Sequence, residues 1–341
     1  MKGAIRPMNA IGAIPGRLRG PTKPRSPLIT GAVGYFLPGM ILTLSLIGCS
    51  RLDTRGESQT AKPARASISY IGAWGMKGPD PGQLDQPTSI AADSIGNSYI
   101  ADIGNKFIEK FDARGTPLLA FQDPSLTHPQ SIAVDRGGAI YVSDPARGSV
   151  FIFFPNGDRY RELRLPTRGN AENMLSVAVD DDGLIYVFDT SIGKIFSYTP
   201  RFKLVRSWQP FGNSPNSHGR EGAIASGSDG YMYLADPEGN KILRIAGDGR
   251  VALEIRAAAD SAGRKLSAEF VVANKYIFAM DADGRMLQVW TNDGKPVLDA
   301  DLAPELGQGS RYPPALAVNA HGELLVLDDR ESRVLRYKIN F

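Results

Sequence analysis

An apolar triplet closed by aspartate recurs along the chain. The copies are Tyr99-Ile100-Ala101-Asp102, Tyr141-Val142-Ser143-Asp144, Tyr186-Val187-Phe188-Asp189 and Tyr233-Leu234-Ala235-Asp236, followed by Phe278-Ala279-Met280-Asp281 and Leu325-Val326-Leu327-Asp328. Successive aspartates are 42, 45, 47, 45 and 47 residues apart. Ten residues before each triplet lies a run of small and β-branched residues: Ser89-Ile90-Ala91, Ser131-Ile132-Ala133, Ser176-Val177-Ala178, Ala223-Ile224-Ala225, Ala268-Glu269-Phe270 and Ala315-Leu316-Ala317, the fifth being degenerate. Between run and triplet, Asp or Asn opens and Gly closes a four-residue segment, as in Asp93 to Gly96, Asp135 to Gly138, Asp180 to Gly183 and Asn319 to Gly322. That is the residue preference of a type I turn. Nine residues after each aspartate stands a large apolar residue, namely Phe111, Phe153, Tyr198, Ile245, Trp290 or Tyr337, and further Gly turns follow at Gly115, Gly157, Gly249 and Gly294.

Each unit therefore reads as three or four short strands joined by tight turns. Four-stranded units of about 40–45 residues are propeller blades. Small residues in the first strand suit the crowded axis, and the aromatics of the outer strands suit the space between blades. The sixth unit stops at Phe341 without a fourth strand, while an orphan strand, Ser67 to Trp74, precedes the first. Pairing the two would close the ring and remove an exposed edge. The expected fold is all-β, one six-bladed propeller over residues 67–341.

The stretch Pro129-Gln130-Ser131-Ile132-Ala133-Val134-Asp135, with Gly138 and Ile140 to Asp144, resembles an NHL repeat. So does Asp102-Ile103-Gly104-Asn105-Lys106-Phe107-Ile108 closed by Gly115, and Asn240-Lys241-Ile242 is a partial copy. The resemblance implies a fold and not a function. The family includes protein-binding and RNA-binding rings and a zinc-dependent lyase, with six-bladed lactonases and antibiotic lyases related to it.

The N-terminus is of another character. Of 39 basic residues, six fall in residues 1–48, where there is no acid, so the chain from Cys49 onward carries a net charge of −3. That balance opposes nucleic-acid binding, which needs clustered positive charge. Residues 1–27 are basic, and the uncharged run from Leu28 to Gly48 ends at Cys49, the single cysteine. A basic stretch, an apolar run and a small residue read as an export signal. The ending resembles a bacterial lipoprotein box, which implies cleavage after Gly48 and lipidation of Cys49. An uncut membrane anchor is the alternative, since 21 residues can span a bilayer. Both readings place the remainder outside the cytoplasm, tethered to a membrane, and Ser50 resembles the class sorted to the outer membrane in Gram-negative bacteria. Three segments result: a signal over 1–48, a polar tether over 49–66 and the propeller.

Standard catalytic motifs are absent, including G-x-S-x-G, H-E-x-x-H, a phosphate loop and C-x-x-C. Asp281-Ala282-Asp283-Gly284 begins like a calcium loop but lacks the later ligands, and it reads as a turn, as does Asp180-Asp181-Asp182-Gly183. The repeated aspartates are expected to accept backbone hydrogen bonds from the turns that follow them. One constellation stands out. Aligning the units puts Gln86, His128, Asn173, Arg220, Lys265 and Tyr312 at the position leading into each inner strand, around one mouth of the channel. Residues 212–222 form the longest irregular insert and a candidate rim.

Two functional readings follow. The first is a noncatalytic module, without cofactor, that binds a protein, peptide or glycan of the cell envelope. The second is an exported lyase or lactonase holding Ca²⁺ or Zn²⁺ in the channel. Against the second, zinc-dependent relatives use several histidines at this mouth, whereas only His128 falls in the ring. A calcium site would draw on Asn173 and Glu221, with no matching aspartate in an inner strand.

Overall fold

The computed structural model describes residues 66–167, 169–170, 174–212, 222–257, 263, 265–306 and 314–341. Cys49, the signal and the tether lie outside the described residues, apart from Ala66. Among the described residues there are 24 strands and no helix. A strand that would later close the ring, β1 (Ser67–Trp74), comes first. Blade one is β2 (Pro87–Ala92), β3 (Ser98–Asp102), β4 (Ile108–Phe111) and β5 (Pro117–Phe121). Blade two is β6 (Ile132–Val134), β7 (Ile140–Asp144), β8 (Ser149–Phe153) and β9 (Arg159–Arg164). Blade three is β10 (Leu175–Val179), β11 (Ile185–Asp189), β12 (Lys194–Tyr198) and β13 (Leu204–Trp208). Blade four is β14 (Ile224–Ser226), β15 (Met232–Asp236), β16 (Lys241–Ile245) and β17 (Val251–Arg256). Blade five is β18 (Leu266–Ala273), β19 (Tyr276–Asp281), β20 (Met286–Thr291) and β21 (Pro296–Asp301). Blade six is β22 (Ala315–Val318), β23 (Glu323–Asp328) and β24 (Arg333–Asn340), with β1 as its fourth strand.

Each blade is an antiparallel meander, and the six form a propeller. Ser67 pairs with Asn340 and Trp74 with Val334, so the first strand of the chain fills the gap left by the last unit. The core is divided among six apolar clusters, each built from two neighbouring blades. One of them joins blade six to blade one through Leu325, Leu327 and Val334 on one side and Ile90, Ile100 and Phe111 on the other. A blade's two faces are thus both apolar, which is why the middle strands read as nearly unbroken hydrophobic runs.

The turn chemistry follows the sequence closely. Gly96, Gly138, Gly183 and Gly322 each donate an N–H to the carbonyl of the residue three before, at 2.9–3.2 Å. All four have positive φ, where L side chains are strained. The turn carboxylates also accept hydroxyl bonds: Tyr99 to Asp93, Tyr141 to Asp135, Tyr186 to Asp180 and Tyr233 to Asp229, at 2.7–3.1 Å. The first residue of the triplet is therefore tied to the turn before it. Blade three lacks the outer Gly turn, and there Phe202 adopts φ 63 and donates its N–H to Thr199 O.

Two features depart from the expected pattern. In blade five the connection between the first two strands is shortened, with Ala273 directly opposite Tyr276. The repeat alignment shifts by one as a result. Phe270, opposite Ala279, takes the place of Ile90 and Val177, and Glu269 falls where the other blades carry Ser or Ala. The second departure is Glu109, opposite Ile100 in blade one. Phe151, Phe196, Leu243 and Leu335 hold the corresponding place in four other blades and Gln288 holds it in blade five. Glu109 is buried; Oε1 accepts the N–H of Gly82 at 3.0 Å, and Oε2 has no partner among the described residues. Burial, reinforced by the charge of Asp102, pushes its carboxyl up to about 7.

Two outcomes are expected. At Gly115, φ is +86 and a Cβ would lie 2.2 Å from Cγ of Trp74. Gly115→Ala should cost about 1–3 kcal/mol in urea unfolding. Gly230→Ala, at φ +77 with nothing within 4 Å, should cost only about 1 kcal/mol, the left-handed penalty alone. Equal losses would mean that Trp74 does not pack there. The raised carboxyl of Glu109 predicts a pH effect of definite sign. The folded state holds its proton more tightly than the unfolded chain, whose value is near 4.5. Its contribution is fullest below that value and is lost as pH rises through 7. Glu109→Gln should flatten the fall in stability between pH 5 and 8, measured by denaturant titration at each pH.

Candidate functional site

The six inner strands β2, β6, β10, β14, β18 and β22 surround a central channel of about 1530 Å³. Their sequences explain its width and its character. Ile, Val and Ala alternate with serines, and the serines are engaged between blades. The N–H of Ile132 donates to Ser89 Oγ, that of Val177 to Ser131 Oγ and that of Ile224 to Ser176 Oγ, at 3.1–3.3 Å. Thr88 adds a hydroxyl bond to Pro129 O at 3.0 Å. These bonds hold blades one to four in register along the wall and engage the serine oxygens as acceptors.

The mouth is set by the repeated aspartates. Asp102 accepts the N–H of Asn105, in the turn after it, and that of Asp85, in the segment leading into the inner strand. Asp144 accepts from Arg147 and from the N–H groups of Thr127 and His128, the last at 3.1 Å. Asp189, Asp236, Asp281 and Asp328 accept from Ser191, Gly239, Arg285 and Glu331 respectively. The expected role is present, and in the first two blades it extends to pinning the mouth loops themselves. The turn readings hold as well. Asp281 Oδ1 accepts from the N–H groups of Arg285 and Met286, and Asp180 Oδ1 from Asp182 and Leu184.

Of the six aligned mouth residues, Gln86, His128 and Lys265 line the channel. Gln86 and Lys265 are structural equivalents: their carbonyls accept the N–H groups of Ile103 and Ala282, each the residue after a repeated aspartate. His128 Nδ1 is buried without a partner among the described residues. In blade three the same backbone bond is made by Met174, to Thr190, so Met174 rather than its neighbour Asn173 stands at that position. Asn173, Arg220 and Tyr312 lie outside the described residues, as does the candidate rim between Gly212 and Gly222, together with His218 and Glu221.

One carboxylate of the channel wall belongs to a residue that the alignment passed over. Glu269 lines the wall in blade five and is half-buried. Leu266 pairs with Asp281 and Phe270 with Ala279, so Ser267, Ala268 and Glu269 face Met280 alone. This bulge carries two extra residues, and such bulges re-aim side chains. Ser267, itself buried, clamps it: Oγ accepts the N–H of Glu269 at 3.0 Å and donates to its carbonyl at 3.3 Å. The carboxylate has no hydrogen-bond or ion-pair partner among the described residues. Burial alone pushes it up to about 7, with no neighbouring charge contributing. The available signal was the break in a run of small residues, which reads equally well as a worn repeat. Among the described residues, no three His, Cys, Asp or Glu side chains are grouped to hold a metal ion.

No protein-family model matches the chain, and no curated protein does. Solved structures share its fold. A streptogramin B lyase superposes with a TM-score of 0.55 at 14% identity, covering 81% of this chain and 98% of its own. The virginiamycin B lyase of Staphylococcus aureus gives 0.55 at 14%, covering 80% and 99%. The β-propeller domain of Cps50 (Swd1) from Myceliophteria thermophila gives 0.51 at 11%, covering 79% and 99%. At such identities the likeness is one of fold, and it places this chain among the six-bladed β-propellers.

Proposed function

We propose that the chain is a lipid-anchored, extracytoplasmic propeller of NHL type that binds a protein, peptide or glycan of the cell envelope at its channel mouth. The observation that carries this reading is the channel itself. At about 1530 Å³ it exceeds the roughly 300–1,000 Å³ of ordinary small-molecule pockets. Its mouth is lined by Gln86, His128 and Lys265, and the segments bearing Gln86 and His128 are tied to the repeated aspartates. Preorganised loops of this kind lower the ordering cost of binding. The net charge of −3 from Cys49 onward speaks against a nucleic-acid partner. Export and lipidation at Cys49 are supported by the basic stretch, the apolar run and the single cysteine that ends it.

A second reading is an exported lyase or lactonase with its centre in the channel. It is favoured by the fold shared with two lyases and by Glu269, whose carboxyl near 7 suits proton transfer at neutral pH. The described residues offer no metal-binding set. A metal in this reading would draw on Asn173 or Glu221, outside them.

Site-specific photo-cross-linking in the native envelope tests the first reading. A photoreactive side chain at Gln86 or Lys265 should trap one and the same partner. The same group at Ile95, 77% exposed in a turn at the other end of the inner strands, should not. Equal trapping from Ile95, or none from the mouth, would overturn it. Metabolic labelling with a fatty acid should mark the wild-type chain and not Cys49→Ser. Turnover of a lactone panel by the purified chain, lost in Glu269→Gln, would favour the second reading instead.

A further inference from the structure

An ionised carboxylate removed from water without a counter-charge is unfavourable, and it is retained where it has work to do. Glu269 is partly in that position. It stands on a bulge locked by Ser267, inside the channel and half-buried, and it lacks a partner among the described residues. Its place in blades one to three is held by serines that clasp the next blade. Glu269 makes no such clasp among the described residues, so fold stability does not account for it.

We propose that the channel binds an organic cation, a primary ammonium or a guanidinium group, through the Glu269 carboxylate. A lysine or arginine side chain of a partner peptide, or an amino sugar, would present such a group. The wall explains the preference over a metal ion. Calcium needs six to eight oxygen ligands and magnesium near-octahedral coordination. Ala268 and Phe270 flank Glu269 in its strand, and Leu316 and Ala317 also line the channel. Among the described residues no three His, Cys, Asp or Glu side chains are grouped, and a carboxylate without such companions matches one charged nitrogen on an apolar stem. The inference rests on the channel being the binding site, and it names the chemistry of one ligand group.

The test is equilibrium dialysis of radiolabelled benzylamine against the full chain in mild detergent at pH 8. One saturable site is expected, weakened at least tenfold in Glu269→Gln and largely kept in Glu269→Asp. Benzyl alcohol and CaCl₂ should not compete. Thermal melts of both variants establish that they fold, and Glu269→Gln, which removes an unpaired half-buried carboxylate, should not lower stability. Binding that survives Glu269→Gln, no saturable binding, or stoichiometric displacement by Ca²⁺ would each overturn the proposal, the last in favour of a metal site. A partner trapped at the mouth without benzylamine binding would sink the cation chemistry alone. Loss of both would sink the binding-module reading with it.

Discussion

Every blade depends on its two neighbours, because the apolar clusters lie between blades rather than within them. Such an arrangement is stable only when it closes. An open row of blades would leave one apolar face bare at each end, together with unpaired strand edges that invite aggregation. Closure here is achieved by β1, which takes the outer place in blade six and is thereby separated in sequence from its partner by the whole ring. The strand brings aromatic side chains as well as hydrogen bonds. Tyr70 meets Tyr337 edge-on at 5.7 Å within blade six, while Trp74 reaches Phe111 of blade one at 4.8 Å. Trp74 thus sits against both sides of the seam, and Gly115 leaves the room for it. The pairing of β1 with β24 spans the whole ring in sequence, so its loop-closure entropy must be met before its packing is gained.

The blade pattern was legible because it repeats. A triplet ending in Asp, a Gly turn and an apolar residue nine places on recur often enough that one worn copy does not hide the rest. Even the strand that closes the ring could be inferred, from a missing fourth strand at one end and a spare at the other. What the pattern could not show is where polar groups pair across units. The aspartate of blade two bonds to Thr127 and His128, some seventeen residues back, and no spacing rule announces that. The repeat also misplaced Glu269, since the alignment assumed hairpins of equal length. The first hairpin of blade five is one residue shorter, and side chains in a strand change face with each residue.

Glu109 and Glu269 show how departures from a repeat differ in meaning. Glu109 stands where four other blades carry Phe or Leu and blade five Gln288, Glu269 where the others carry Ser or Ala, and both are held near neutral pKa chiefly by burial. Glu109 has a structural task. Its Oε1 receives the Gly82 N–H, and so it fastens the connection between the closing strand and blade one. That connection has no counterpart in the other blades, which accounts for a carboxylate where four of them carry Phe or Leu. Glu269 fastens nothing among the described residues, and it looks into open space.

The inner wall separates two tasks that a small protein often has to combine. Serines and Thr88 bind blade to blade through short hydrogen bonds, which keeps the channel from collapsing without filling it. That leaves the channel broad but poor in chemistry along blades one to four. Blade five carries no such serine clasp, and there the bulge and its carboxylate appear together. A bulge of two extra residues disrupts the ladder locally, and the N–H of Leu266 beside it is held by Asn240 Oδ1 of blade four at 2.8 Å. The serines of the inner strands are given over to holding the frame, and Glu269 is not: its carboxylate lines the channel without a partner among the described residues.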